Sequence, residues 1–467
     1  MELNEAVLAL ARSIHANGPE GWRTATVSMR CTEHGRSGQS GYDNRGWLSV
    51  DSAAENDLTA ALLKGASSAI YELVVRSTGE VRFAYTTASG VGTSGATVFR
   101  DNDFRLPGHP LPGSIPRPEH VRIGDGPTDP AVLARIPKVG DGRSEEDILA
   151  TERELGLRLP EVLRALHRNG HTEIDRFMLA TLEELVEWRG EDGPQFGGWD
   201  DDEPLDLDPV LDVWPHGHVK RLCRNDWWLP FGYGDNWDYL AVDFDPAENG
   251  RPGQVIWFND NTEMSALVAD SVESMLPPWT WSDDVVRVSD LVLSHEPTPD
   301  PHIQKVNANQ GGDIDLASFA VLPNLRDLRV NQAGRVQATA LPGLEALRID
   351  AREFDFAPLT GHPTLWSLRL HGLQHPVDAR VIATMTSLIR LDLAGVEVTN
   401  IEALQELPNL KVVTLNGEQW GGVDLPDLAV AVLGRAELAQ RLAWLDRYDP
   451  LDRNRELHVF EAPNLEV

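Results

Sequence analysis

The stretch Leu322-Pro323-Asn324-Leu325-Arg326-Asp327-Leu328-Arg329-Val330 spaces three apolar side chains, at Leu325, Leu328 and Val330, between charged ones. The same spacing returns at Leu344, Leu347 and Ile349, at Leu365, Leu368 and Leu370, at Leu388, Leu391 and Leu393, and at Leu410, Val413 and Leu415. The first leucines of successive units lie 19, 21, 23 and 22 residues apart. In four of the five units a Leu-Pro or His-Pro pair stands just ahead of that leucine. Five in-phase copies do not arise by chance. A unit this short cannot bury its apolar face alone, so the copies must stack and share one core.

The period and the pattern are those of leucine-rich repeats, which predicts an α/β solenoid over residues 313–420. Strand side chains alternate, so the residues between the buried leucines face outward on the inner sheet. Those positions hold Asp327 and Arg329, Ala346 and Arg348, Ser367 and Arg369, Arg390 and Asp392, then Val412 and Thr414. Arg329, Arg348 and Arg369 occupy equivalent places and should form a ladder at a strand spacing of about 4.8 Å. Two readings compete for it. Either acids such as Asp327 and Asp350 pair with the arginines, or the ladder holds an acidic peptide or the acidic part of this same chain. Beyond the repeats, Leu425–Asp446 is amphipathic, and residues 421–467 are expected to form a helical cap over the exposed end of the stack.

Working back from the repeats, Pro297, Pro299 and Pro301 mark a connector at 279–312. Residues 141–278 read as an α+β domain. Ser144 can cap a helix running to Gly156, Pro160 suits the first turn of the next helix, and Asn169-Gly170 ends that one. Thr181 and Glu184 have capping-box spacing. Strands are expected at Tyr239–Phe244 and Gln254–Phe258, and a closing helix at Thr262–Met275 before Pro277-Pro278. Residues 106–140 hold eight prolines and read as an extended linker. Residues 1–105 read as a further α+β domain of unassigned role. It has a helix over Glu2–Ala16, strands at Thr24–Arg30, Ala69–Arg76 and Glu80–Thr86, and a hairpin turn at Ser77-Thr78-Gly79. Its helix-then-sheet order resembles small immunity proteins of the YezG type.

Of 467 residues, 73 are acidic and 41 are lysine or arginine, for a net charge of -32. The excess is local. Residues 141–300 hold 36 acids and 12 bases, whereas residues 1–140 hold 15 and 14. Self-repulsion of that size opposes compaction, so a local excess points to a use. The sign disfavours nucleic acid as a direct ligand and favours a basic partner. The densest run is Trp199-Asp200-Asp201-Asp202-Glu203-Pro204-Leu205-Asp206-Leu207-Asp208, six carboxylates with apolar residues between them. It reads either as a solvated loop or as a surface that steers a basic protein. Two distant cysteines, Cys31 and Cys223, exclude a disulfide framework and fit a reducing cytoplasm. The first residues do not read as a signal peptide, and no stretch reaches the ~20 apolar residues of a membrane span.

The middle domain is similar to the SUKH superfamily, also called the Smi/Knr type. The resemblance rests on Glu152-x-x-Leu155-Gly156-Leu157-x-Leu159-Pro160, on Leu166-His167-Arg168-Asn169-Gly170, on Leu179–Leu185, and most of all on Trp227-Trp228-Leu229-Pro230-Phe231-Gly232-Tyr233-Gly234-Asp235-Asn236-Trp237-Asp238-Tyr239-Leu240-Ala241-Val242-Asp243-Phe244-Asp245-Pro246. Trp237 departs from the pattern, where smaller residues are commoner. The resemblance implies a small α+β domain that binds rather than catalyses. It implies a bacterial immunity protein that neutralises a cognate toxin, often a nuclease, of a polymorphic or contact-dependent system. The alternative expectation is a non-enzymatic scaffold whose repeats grip a cellular protein.

Under either reading the expected partner is a protein, with no nucleic acid bound directly, no membrane and no cofactor. Candidate contact residues are Trp199, Asp200, Asp201, Asp202, Glu203, Asp206, Asp208, Asp235, Trp237, Asp238, Arg329, Arg348 and Arg369. Catalytic patterns fail their context tests. Gly90-Val91-Gly92-Thr93-Ser94-Gly95 matches GxGxxG but precedes Ala96-Thr97-Val98-Phe99, a strand-like run where a phosphate site needs a helix. His216-Gly217-His218 lacks ligand partners at metal spacing, Asp243-x-Asp245-Pro246 does not fit a calcium loop, and neither cysteine has a nucleophile's neighbours.

Overall fold

The computed structural model describes residues 2–43, 48, 51–88, 91–189, 210–235, 238–259, 262–281, 290–293, 297–309, 311–449 and 455–465. Helix and strand are mixed throughout, in an α+β arrangement of three main sheets with their own buried clusters.

The repeats form one parallel sheet. Their strands are Asp327–Gln337, Ala346–Asp355, Ser367–His371, Arg390–Gly395 and Val412–Leu415. Register follows the sequence phase: Leu328, Leu347, Leu368, Leu391 and Val413 are successive partners. The first leucines, Leu325 to Leu410, are all buried. Between strands the chain turns through short helical segments such as Leu316–Val321, Ala379–Ile382 and Ile401–Glu406.

The sheet extends beyond the five units. Asp290–Leu293 and Lys305–Ala308 precede it in parallel register, so residues 279–312 contribute strands as well as connection. At the other end the expected all-helical cap is mixed. Val430–Leu433 is a further parallel strand, with Ala431 opposite Val413, and only Leu438–Tyr448 is a helix. The apolar run Leu428–Leu433 is too short for its periodicity to separate strand from helix. The last neighbour in the sheet is Ala96–Phe99, antiparallel to Val430–Leu433, donated by the N-terminal part of the chain.

The exchange is reciprocal. The N-terminal sheet packs on helices Leu3–Ala16 and Ser52–Leu62 and runs in the order Gly35–Tyr42, Thr24–Thr32, Ser68–Arg76, Val81–Thr86. Its fifth strand is His458–Ala462, from the far end of the chain, antiparallel to Val81–Thr86. The predicted hairpin turns at Gly79, whose φ of +91° suits glycine. Gly79 O accepts from Leu465 N at 2.8 Å, and Leu465 enters the N-terminal core. Ion pairs lock the junction: Arg82 meets Glu437 at 2.8 Å and Glu461 at 3.9 Å, and the buried Arg441 meets Glu72 at 3.2 Å.

The central sheet has seven strands, in the order Glu173–Ile174, Phe177–Leu179, Trp228–Tyr233, Asp238–Asp243, Gln254–Asn259, Thr262–Ala269, Asp212–Trp214. The caps read from sequence form as expected. Ser144 and Asp147 make a capping box on Glu145–Leu155, Gly156 ends that helix at φ +67°, and Thr181 with Glu184 caps Leu182–Glu187. One element differs. Thr262–Ala269 is a strand, not the start of a helix. Met264, Ala266 and Val268 feed one core and Leu267 the other, a two-residue period set by pairing with Gln254–Asn259.

The proline-rich stretch is also more than a spacer. Pro130–Arg135 is a short helix, Val121 and Ile136 join the central core, and Phe104 and Leu106 pack on Trp366, Val412 and Val430. Prolines donate no backbone hydrogen bonds, but the carbonyls here accept: Gly126 O from Arg158 and Arg164, and Ile115 O from Trp227 Nε1.

Candidate binding interface

Pairing across the central sheet lines up one row of side chains. Met178 stands opposite Tyr233, Tyr233 opposite Tyr239, and Tyr239 opposite Phe258. Direct cross-strand partners share a face. Tyr239 stacks on Phe258 at 5.3 Å, and Trp188 meets Tyr233 and Tyr239 edge-on at 5.4 and 5.7 Å. Phe258 is buried, Tyr233 and Tyr239 are half-buried, and Met178 is exposed. This row was not read from the sequence. The residues come from four strands and a helix end, and only the pairing register brings them together.

Two expected contact residues flank the row. Asp235 is exposed just past the strand Trp228–Tyr233. Asp238 is internally engaged: it accepts from Asn259 Nδ2 at 2.9 Å and lies 3.7 Å from Arg176. Trp199, Asp200, Asp201, Asp202, Glu203, Asp206, Asp208 and Trp237 lie outside the described residues.

The acids of the D-x-D-P motif are structural. Asp243 is fully buried and accepts from Gln254 Nε2 at 2.8 Å and Asp245 N at 2.9 Å. Burial pushes its carboxyl up to about 7. Asp245 accepts from Lys220 Nζ at 2.6 Å and Asn225 Nδ2 at 3.0 Å. Together they pin the loop before Trp227 to the sheet. His167, expected only as part of a helix end, is buried, and desolvation lowers its imidazole to about 4.

The strand Asp212–Trp214 carries the contact to the repeats. Asp212 is buried with Lys305 at 3.7 Å and Arg326 at 3.9 Å. Arg326 donates to Leu211 O and to Gln304 Oε1, while Gln304 Nε2 donates to Val213 O. Arg221 pairs with Glu345 across the same boundary, and Trp214 packs on His302 at 3.8 Å. Burial lowers the Arg326 guanidinium to about 10.

The arginine ladder forms in register, with Arg329 opposite Arg348 and Arg348 opposite Arg369. Acids lie beside two of its members. Arg329 donates to the buried Asp327 at 2.9 Å, and Arg369 pairs with Asp392 at 2.8 Å. Asp392, rather than Asp350, is the second neutralising acid. Arg348 is exposed between them.

Among the described residues no helix is long and apolar enough to cross a membrane. What the central sheet presents is a surface of aromatic and acidic side chains on an α+β module. Residues 142–277 match the model of the SMI1 / KNR4 family (SUKH-1), whose domains are associated with immunity proteins of toxin systems, typically bind protein toxins and are generally non-enzymatic. No curated protein matches the chain significantly. Among solved structures, an internalin (inlF) from Listeria monocytogenes is similar at 20% identity and a TM-score of 0.22, over 25% of this chain and 35% of that one. An internalin C2 (inlC2) from the same organism is similar at 18% identity and a TM-score of 0.20, over 25% of this chain and 62% of that one. The chain thus spans about a third and under two thirds of these two neighbours.

Proposed function

We propose that this protein is a cytoplasmic bacterial immunity protein that binds a cognate toxin and blocks it without catalysis. The observation that carries the reading is the match of residues 142–277 to the SUKH-1 family, within a segment whose 36 acids face only 12 bases. Such a charge fits a basic toxin, for which a nuclease is the natural class. Tyr233 and Tyr239, beside Asp235 and Asp238, supply the aromatic anchors that carry most of the energy in interfaces. We read the repeat stack as a leucine-rich-repeat solenoid that widens the contact, with Arg348 at the centre of its ladder. Residues 1–105, 141–278 and 313–420 are the domains of this reading.

Co-expression with the toxin encoded beside this gene tests it. Rescue of growth and a tight 1:1 complex are expected, and absence of protection rejects the proposal. Within the complex, Asp200→Asn, Asp201→Asn and Asp202→Asn together should slow association by about tenfold at low salt and flatten its salt dependence. Unchanged kinetics would clear that run of the role while leaving the protection result standing.

A further inference from the structure

The last repeats close on three aromatic rings. Trp420 stands in the short helix Gly417–Gly421, and Trp444 and Tyr448 lie four residues apart on Leu438–Tyr448. That spacing puts both on one helix face. Ring centroids are 5.6 Å apart for Trp420 and Trp444, 5.2 Å for Trp420 and Tyr448, and 5.0 Å for Trp444 and Tyr448. Two of the three polar handles are satisfied. Trp420 Nε1 donates to Val432 O at 2.9 Å, and the Tyr448 hydroxyl donates to Trp420 O at 2.9 Å. Trp444 Nε1 has no acceptor, although the residue is only 6% exposed. A buried indole N–H ordinarily finds a partner, and this one does not.

The same rings line a cleft of about 540 Å³, a volume typical of small-molecule sites. Arg435 and Arg447 line it too, with Glu418 as its carboxylate. Arg435 is exposed and has no carboxylate partner among the described residues. Arg447 sets its guanidinium 5.1 Å over the Tyr448 ring and likewise has no ion pair among the described residues. Arg329, Arg369 and Arg441 are matched by Asp327, Asp392 and Glu72, whereas Arg12, Arg153 and Arg352 stand without an ion pair among the described residues, but singly and away from this cleft. Two unmatched guanidiniums at one aromatic cleft reverse the local sign.

We propose that this cleft binds a small planar anion, an aromatic ring bearing a carboxylate, sulfonate or phosphate ester. The ring packs against Tyr448, the half-buried member of the cluster, and the acid group engages Arg435 and Arg447. Charged hydrogen bonds to guanidinium are the strong ones, which makes the acid group the main determinant. The site is independent of toxin binding.

The test titrates the full chain with 1-anilinonaphthalene-8-sulfonate, followed by calorimetry and dye fluorescence. Saturable binding at one site is expected. R435Q/R447Q should raise its Kd at least about tenfold. Both residues are exposed, so the fold should persist, as the circular dichroism spectrum will report. The neutral analogue N-phenyl-1-naphthylamine should bind R435Q/R447Q no more weakly than the parent. Non-saturating dye binding, or a Kd that R435Q/R447Q leaves within about twofold, overturns the proposal.

Discussion

Asp243 and His167 sit in the same domain with opposite shifts, and their pH signatures can be separated. Asp243 is raised to about 7, so the folded state holds its proton where the unfolded chain has released it. Its contribution to stability is present at low pH and is lost as pH climbs through 7. His167 is lowered to about 4, so the unfolded chain takes up a proton that the folded state refuses. Its contribution is present above about 6.5 and is lost as pH falls toward 4. Between those limits the two slopes cancel. Asp243→Asn should therefore abolish the loss of Tm between pH 6 and 8 and steepen the acid-side loss, by up to about 4 kcal/mol in the limit. Calorimetry across pH 4–8 on both proteins checks this, and identical profiles would contradict it. At the same scale, Asp212→Ala removes the buried carboxylate shared by Lys305 and Arg326 and leaves Glu345, 3.7 Å from Arg326, as the acid beside that guanidinium. It should cost about 3 kcal/mol in urea unfolding, whereas Asp212→Ala with Lys305→Met and Arg326→Met should cost much less.

At the scale of the element, legibility tracked how local the determining forces are. The cap at Ser144, the capping box at Thr181 and the leucine phase of the repeats depend on residues within one or two turns or one repeat, and they were readable. Thr262–Ala269 was not, because its two-residue period exists only when Gln254–Asn259 lies beside it. The aromatic row through Tyr233 and Tyr239 was invisible for the same reason, since its members meet only through cross-strand register. The clearest case is His458–Ala462, whose partner lies more than 370 residues away in sequence, with Phe460 opposite Phe83. Proline supplies no ladder donor. Phe460→Pro should reduce amide-exchange protection in Val81–Thr86 at least about tenfold and leave Ser367–His371 unchanged. Equal protection in both proteins would show that this edge strand contributes nothing.

For the whole molecule, charge distribution was legible and spatial arrangement was not. The acid excess between 141 and 300 coincides with the module, read from its caps and motifs, that matches the SUKH-1 family. Nothing in composition foretold that the first and last segments would trade strands, because no local pattern encodes a partner so distant. A fragment of residues 1–105 should accordingly lack a cooperative thermal transition and gain one when a peptide of residues 455–467 is added. A fragment that melts cooperatively alone, with no change on adding the peptide, would show the N-terminal sheet to be self-sufficient.

The traded strands also bear on biosynthesis. A ribosome releases Val81–Thr86 long before it reaches His458–Ala462. At about 5–20 residues per second, the first sheet waits at least about 20 s for its last member. Through that interval an apolar edge stays open in a crowded cell, the condition under which chaperones hold nascent chains. The N-terminal module is thus completed last although it is made first, and a chain cut short by a premature stop leaves it unfinished.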